Sequence, residues 1–148
     1  KLRNDNRVIN MEKTNIRHLD LNTVNKDIDF ISVDVSFISL KLVFPVASQM
    51  LGPDGRIVCL VKPQFEAGRE QVGKKGIVRD RDVHKEVIVN VMEYANQNGF
   101  FVKELTFSPI KGPEGNIEFL GHLSLKEDED SIPNLNALVQ QAHDTLKG

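Results

Sequence analysis

Apolar positions along this chain fall into short runs, each set off by polar, glycine-bearing or proline-bearing stretches. Arg7-Val-Ile-Asn-Met11 is a short strand candidate, and Asp29 to Val35 is a second, rich in the β-branched residues that favour strands. Ser36 is placed to cap a helix running to Met50, with Pro45 expected to kink it or to divide it into two. Gly52-Pro-Asp-Gly55 carries turn residues, and the strand Arg56 to Val61 follows. These strands are apolar nearly throughout rather than alternating, as in a parallel sheet covered on both faces.

Residues 63–80 read as a loop in which Gly68, Gly73 and Gly76 are interleaved with basic residues. Asp82 opens the strongest helix: Val83, Val87, Ile88, Val91, Met92 and Ala95 recur at helical spacing, and Gly99 closes it. Phe100 to Ser108 and Asn116 to Leu125 read as strands joined by the turn Lys111-Gly-Pro-Glu-Gly115, so that pair is expected to be antiparallel. Glu127-Asp-Glu-Asp130 looks like a linker. Pro133 to Lys147 is expected to form a terminal helix with Leu135, Leu138, Val139, Ala142 and Leu146 on one face. The expected architecture is a parallel α/β sheet finished by an antiparallel hairpin over residues 1–125, then an acidic linker and helix over 126–148.

Composition narrows the picture only locally. With 148 residues, 40% hydrophobic and 27% charged, the chain can bury one core. A net charge of −2 excludes a global basic field, yet Arg69, Lys74, Lys75 and Arg79 crowd the glycine-bearing loop, where backbone and cations together suit phosphates. The single cysteine, Cys59, has no internal partner, which fits a reducing, cytoplasmic setting, and its apolar surroundings make it a small core residue. No run approaches the ~20 apolar residues that span a bilayer. His18, His84, His122 and His143 lack metal-ligand spacing and are expected at the surface, and no metal is expected. The opening Lys1-Leu-Arg-Asn4 has no initiator Met and reads like a piece of something longer.

Candidate chemistry concentrates at strand ends. The strand closing at Val61 ends in Lys62, the strand closing at Val33 ends in Asp34, and the last apolar segment carries Glu118. Ligand crevices in open α/β sheets lie at the carboxyl ends of strands, so these three side chains can converge on one rim. Each alone has an ordinary reading: a surface lysine, a charge near a helix start, an exposed hairpin residue. Together they can handle a proton on a substrate hydroxyl, Lys62 taking it when neutral or stabilising an alkoxide when charged. Asn116 reads as a turn residue, and stacking on a base would rest on a few phenylalanines such as Phe65.

Four motifs in order, Asp34-Val-Ser-Phe-Ile-Ser-Leu40, Val61-Lys-Pro-Gln-Phe-Glu66, Gly73-Lys-Lys-Gly-Ile-Val-Arg-Asp80 and Gly112-Pro-Glu-Gly-Asn-Ile-Glu-Phe119, resemble the TlyA family over residues 1 to about 125. That family is often labelled haemolysin A and is related to the FtsJ-type ribosomal RNA 2′-O-methyltransferases. The resemblance implies a Rossmann-like methyltransferase sheet, here without its first strands. It implies methyl transfer from S-adenosylmethionine to a ribose 2′-hydroxyl of ribosomal RNA or of ribosomal subunits. Asp34, Lys62 and Glu118 match three members of the family's Lys-Asp-Lys-Glu tetrad. The first lysine, the glycine-rich donor loop and a small RNA-binding domain would lie upstream, so this chain alone is expected to be inactive. What remains of the donor site would be Thr14, Asn15 and the Asp34 rim, with RNA phosphates meeting Arg69, Lys74, Lys75 and Arg79. The alternatives are a non-catalytic RNA-binding module, a membrane-active haemolysin, disfavoured by the lack of a spanning or interfacial helix, and a dinucleotide oxidoreductase, disfavoured by the terminal hairpin.

Overall fold

A computed structural model of the protein describes residues 4–11, 14–23, 27–127 and 132–146. Its sheet has four strands in the order β1-β2-β4-β3. The strands are β1 (Ile28–Val33), β2 (Leu51–Val61), β3 (Phe101–Phe107) and β4 (Phe119–Ser124). β1 runs parallel to β2, while β4 lies antiparallel between β2 and β3. The helices are α1 (Leu40–Met50), the short α2 (Pro63–Glu66), α3 (Arg81–Gln97) and α4 (Leu135–Thr145). The mixed sheet and its closing hairpin agree with the architecture expected from the apolar runs.

One face of the sheet holds the core. Ile57, Cys59 and Val61 of β2 pair with Leu123, Gly121 and Phe119 of β4, and the side chains on this face are buried against Phe44, Ile88, Ala95 and Leu138 of the helices. On the opposite face Val58, Leu60 and Leu120 are only half-buried, and Phe30 is 58% exposed. The expectation of a sheet covered on both faces therefore fails among the described residues: α1, α3 and α4 pack on one another and share a single side. Burial of Cys59 pushes its thiol up to about 12, so it behaves as the core residue its neighbours suggested.

Four local expectations need correction. Residues 7–11 form no strand: Ile9 is 81% exposed, and Arg7 folds back on the Asp5 carboxylate. With no neighbouring strand beside it among the described residues, an apolar dipeptide forms no ladder. Pro45 does not divide α1, since the helix is continuous over eleven residues, and Pro45 sits on its exposed side. A carbonyl that loses its amide partner there can be hydrated. The cap is Ser39, not Ser36. Gly52-Pro-Asp-Gly55 does not separate α1 from β2 but lies within β2 as a bulge: Ile28 faces Leu51, while Phe30 already faces Arg56. Gly55 has to be small there, because a Cβ would meet Leu51 Cγ and the Ile28 carbonyl at 2.6 and 2.7 Å.

α3 starts at Arg81, one residue before the expected Asp82, capped by the Asp80 carboxylate, and Gly99 ends it at φ +83° as expected of a left-handed closing residue. α4 is capped by Asn134 and buries Leu138, Val139 and Ala142, three of the five residues assigned to its apolar face. Of the acidic linker, residues 128–130 lie outside the described residues.

Candidate active site at the rim of the sheet

Strand direction brings the site together. β1 and β2 are parallel with Val33 opposite Cys59, so Asp34 and Lys62 emerge at the same edge. β4 is antiparallel with Phe119 opposite Val61, so Glu118, one residue before β4, enters at that edge too. Asp34, Lys62 and Glu118 thus share one rim.

Lys62 makes the closest contact there. Its ammonium forms an ion pair with Asp34 Oδ1 and donates to Ser36 Oγ at 3.4 Å. The lysine side chain is 11% exposed and that of Asp34 67%, so the amine is tucked under the rim while the carboxylate reaches solvent. Glu118 is 6% exposed and accepts a 2.8 Å bond from Gln64 Nε2. Glu118 is therefore not an exposed hairpin residue, whereas Asn116 closes the turn Pro113–Gly115 as expected and is buried as well. Asn116 is 2% exposed and its side chain bridges segments: Oδ1 accepts from the Val78 amide, and Nδ2 donates to the Gly76 and Pro113 carbonyls. It ties the far end of the glycine-bearing loop to the segment leading into Glu118.

Three residues that matter to the rim lay outside the sequence assignments. Glu66 accepts from Ser39 Oγ at 2.6 Å and from the Leu40 amide at 2.9 Å, clamping the start of α1 to the segment after Lys62. Burial pushes its carboxyl up, and the Ser39 hydroxyl and Leu40 amide pull it back. Phe37 stands 90% exposed at φ +63°, a conformation rare outside glycine, with its ring 4.8 Å from that of Phe65. Gln64, quoted in the motif but given no role, is the partner of Glu118. Only the fold reveals these contacts, since the Ser39–Glu66 bond spans 27 residues and the Gln64–Glu118 bond 54.

Thr14 and Asn15 line a cleft of about 610 Å³ together with Ser36, Phe37, Ser39 and Phe65. Asp34 lines an adjoining cavity of about 220 Å³, and both spaces share Ile16 and Val35. Asn15 Oδ1 accepts from the Arg17 amide and so serves first as the cap of a short turn. Arg69, Lys74, Lys75 and Arg79 are all exposed on the loop between α2 and α3, which folds into two single turns and ends with Ile77 and Val78 buried. The loop's apex is open, but its return to α3 is anchored. The histidines depart from expectation. His18 is exposed, but His84 is fully buried against His143, and His122 is bonded to Glu104 and Arg56 on the sheet. No cluster of three or more metal-ligating side chains occurs among the described residues.

The chain is similar to known proteins along its whole length. The Bacillus subtilis protein YqxC, provisionally named an rRNA methyltransferase, is 46% identical over 99% of this chain and 54% of its own length. The Mycobacterium tuberculosis 16S/23S rRNA (cytidine-2′-O)-methyltransferase TlyA is 39% identical over 96% of this chain and 52% of its own. A solved structure of a Streptococcus thermophilus protein, provisionally named a hemolysin, superposes with a TM-score of 0.91 at 46% identity, over 99% of this chain and 54% of that one. The chain therefore spans about half the length of the curated relatives it matches. The profile of the FtsJ-like methyltransferase family covers residues 1–125, and with these relatives it shows that the chain belongs to that family.

Proposed function

We propose that the chain supplies the catalytic rim of an S-adenosylmethionine-dependent enzyme that methylates ribose 2′-hydroxyls of ribosomal RNA, acting in the cytoplasm. The observation that carries this reading is the Lys62–Asp34 pair: a nearly buried amine, ion-paired and held by Ser36, at the ends of adjacent parallel strands. Membership of a methyltransferase family and the name of the TlyA relative support the substrate class.

The residues present fit part of a donor site. A cleft of several hundred cubic ångströms with a few polar groups among apolar ones is the ordinary form of a small-molecule site. Thr14, Asn15 and Asp34 would hold the donor, with Ile16 and Val35 supplying apolar wall. When bound, S-adenosylmethionine supplies a methyl group on a sulfonium, ready for in-line displacement. The protein's own task is then to place the ribose hydroxyl, relieve it of its proton and keep water out. Lys62 is positioned to meet the hydroxyl oxygen. Lys62 takes the hydroxyl proton when its amine is neutral, and the Asp34 carboxylate orients that amine through their contact. The charge left on Lys62 at other stages favours a developing alkoxide. Glu118 completes the polar wall, and Arg69, Lys74, Lys75 and Arg79 meet RNA phosphates, which positions the substrate without reading its sequence. No helix among the described residues is long and apolar enough to cross a membrane.

The test is substitution of Lys62 in the full-length protein. Lys62→Ala should lower single-turnover methylation of ribosomal RNA by about a hundredfold or more. Lys62→Arg should fail as well, because a guanidinium neither gives up its proton nor occupies the same space. Melting temperatures should stay near wild type, as expected for a change that leaves little cavity. Near wild-type turnover by Lys62→Ala would make Lys62 a structural lysine and overturn the site assignment.

A further inference from the structure

Glu118 is buried, but two neighbours decide where its carboxylate lies. Gln64 Nε2 donates to Oε2 at 2.8 Å, while Gln64 Oε1 is buried with no hydrogen-bond partner among the described residues. Leaving an acceptor unpaired is costly, and the alternative orientation would set two acceptors face to face. The amide is therefore oriented by the carboxylate and holds it in return. Gly112 lies on the other side. Its φ of −78° and ψ of −167° suit any residue, so its backbone does not call for glycine. The carboxylate does: a Cβ at residue 112 would overlap Glu118 Oε2 and approach Cδ to 2.6 Å and Oε1 to 3.1 Å. The Gly112 amide meanwhile donates to the Asn116 carbonyl at 2.8 Å, which fixes the turn against which Glu118 rests.

We propose that Gln64 and Gly112 are positioning residues that form a socket for Glu118, the first by one hydrogen bond and the second by leaving the volume the carboxylate fills. The inference rests on the role given to Glu118 in the reading above. It follows that Gly112→Ala displaces the Glu118 carboxylate without removing any charge, base or donor from the site. Buried side chains held on two sides yield only by leaving their place, and misplacement by about an ångström is enough to slow a positioned reaction severely.

The experiment is a double-mutant cycle in the full-length protein, with single-turnover methylation of ribosomal RNA and thermal unfolding as readouts. Gly112→Ala should lower the rate by about tenfold or more, with the half-saturating RNA concentration within about twofold of wild type. In a Glu118→Ala background it should cost less than about twofold, because no carboxylate remains to be moved. The melting temperature should follow the same pattern, falling by about 2–4 °C in wild type and not in Glu118→Ala. Gln64→Ala should also lose its effect on rate in that background. If Glu118→Ala does not fold, Glu118→Ser, which also carries no carboxylate, takes its place. Equal losses from Gly112→Ala in both backgrounds, or no loss in wild type, would overturn the socket. If Glu118→Ala leaves the rate intact, the catalytic reading of Glu118 falls by itself. The socket is then decided by melting temperature, where coupled losses uphold it and additive losses overturn it.

Discussion

Glu66 shows what a single side chain can do without touching a substrate. It accepts from the Ser39 hydroxyl and the Leu40 amide, one of the orphan donors that every helix start presents. Removing it strands a part-buried amide and frees the segment that carries Asp34, Ser36 and Phe37. Glu66→Ala should therefore cost about 1–3 kcal/mol of stability, measured by urea unfolding. It should also raise the half-saturating RNA concentration, which Lys62→Ala should not. A stability loss with unchanged RNA dependence would mean that the clamp holds α1 and nothing more. Asp34 and Lys62 were legible in the sequence because each directly follows an apolar run, and a parallel sheet brings such ends together. Glu66 was not, because a carboxylate four residues past a lysine gives no sign that its partners lie 26 and 27 positions earlier.

Elements with a continuous apolar run were legible for the same reason: β2, β3, β4, α3 and α4 each bury a face that their own pattern announces, while β1 buries Val33 alone. Where tertiary contacts decide, the pattern misled. Residues 7–11 have strand composition but join no strand among the described residues, the bulge at 52–55 depends on register against β1, and Pro45 is tolerated because it faces outward. His84 is the clearest case, since its position in α3 falls on the apolar face and was passed over for a surface site. His84 Nε2 lies 2.9 Å from the Val78 carbonyl, which can only accept, so Nε2 carries the proton and Nδ1 accepts from His143 Nε2, 2.8 Å away on α4. Burial lowers the pKa of both rings below 6.5, helped at His84 by His143 and at His143 by Arg81, and opposed by Asp80 and, at His143, by Asp144. The unfolded chain thus binds more protons than the folded one just below that value. The stability these rings contribute is present above about pH 6.5 and is lost as pH falls through their lowered values. Arg79, Lys111 and Glu114 line the adjoining cavity and add their charges to the same balance. The melting temperature should fall between pH 7.5 and 5.5, and more steeply in wild type than in His143→Ala. Glu66 titrates in the opposite sense but is common to both proteins, so it cancels in the comparison. Equal slopes would show that the pair does not hold α4 on α3.

At the scale of the whole molecule, charge distribution matters more than its sum. The chain carries a net −2, so any attraction to RNA has to be local. Arg69, Lys74, Lys75 and Arg79 are exposed on one loop, and Asn116 pins that loop's return to the segment entering Glu118. The loop's return is thereby mechanically joined to the candidate rim. Phosphate contacts release counterions, and for single strands each contact contributes about 0.7 to the slope of log affinity against log salt. Replacing all four residues by glutamine in the full-length protein should reduce that slope by up to about 3 when binding to a ribosomal RNA fragment is titrated across salt concentrations. The rate at saturating RNA should change little, because phosphate contacts position the substrate and take no part in moving the proton. A single replacement, Arg79→Gln, should reduce the slope by roughly 0.7 and serves as the internal scale for the quadruple change. An unchanged slope would remove the loop from the RNA interface and leave only the rim itself to hold the substrate. A slope that falls together with the saturating rate would mean instead that the loop shapes the rim through Asn116, and Asn116→Ala should then reproduce the loss of rate with the slope intact.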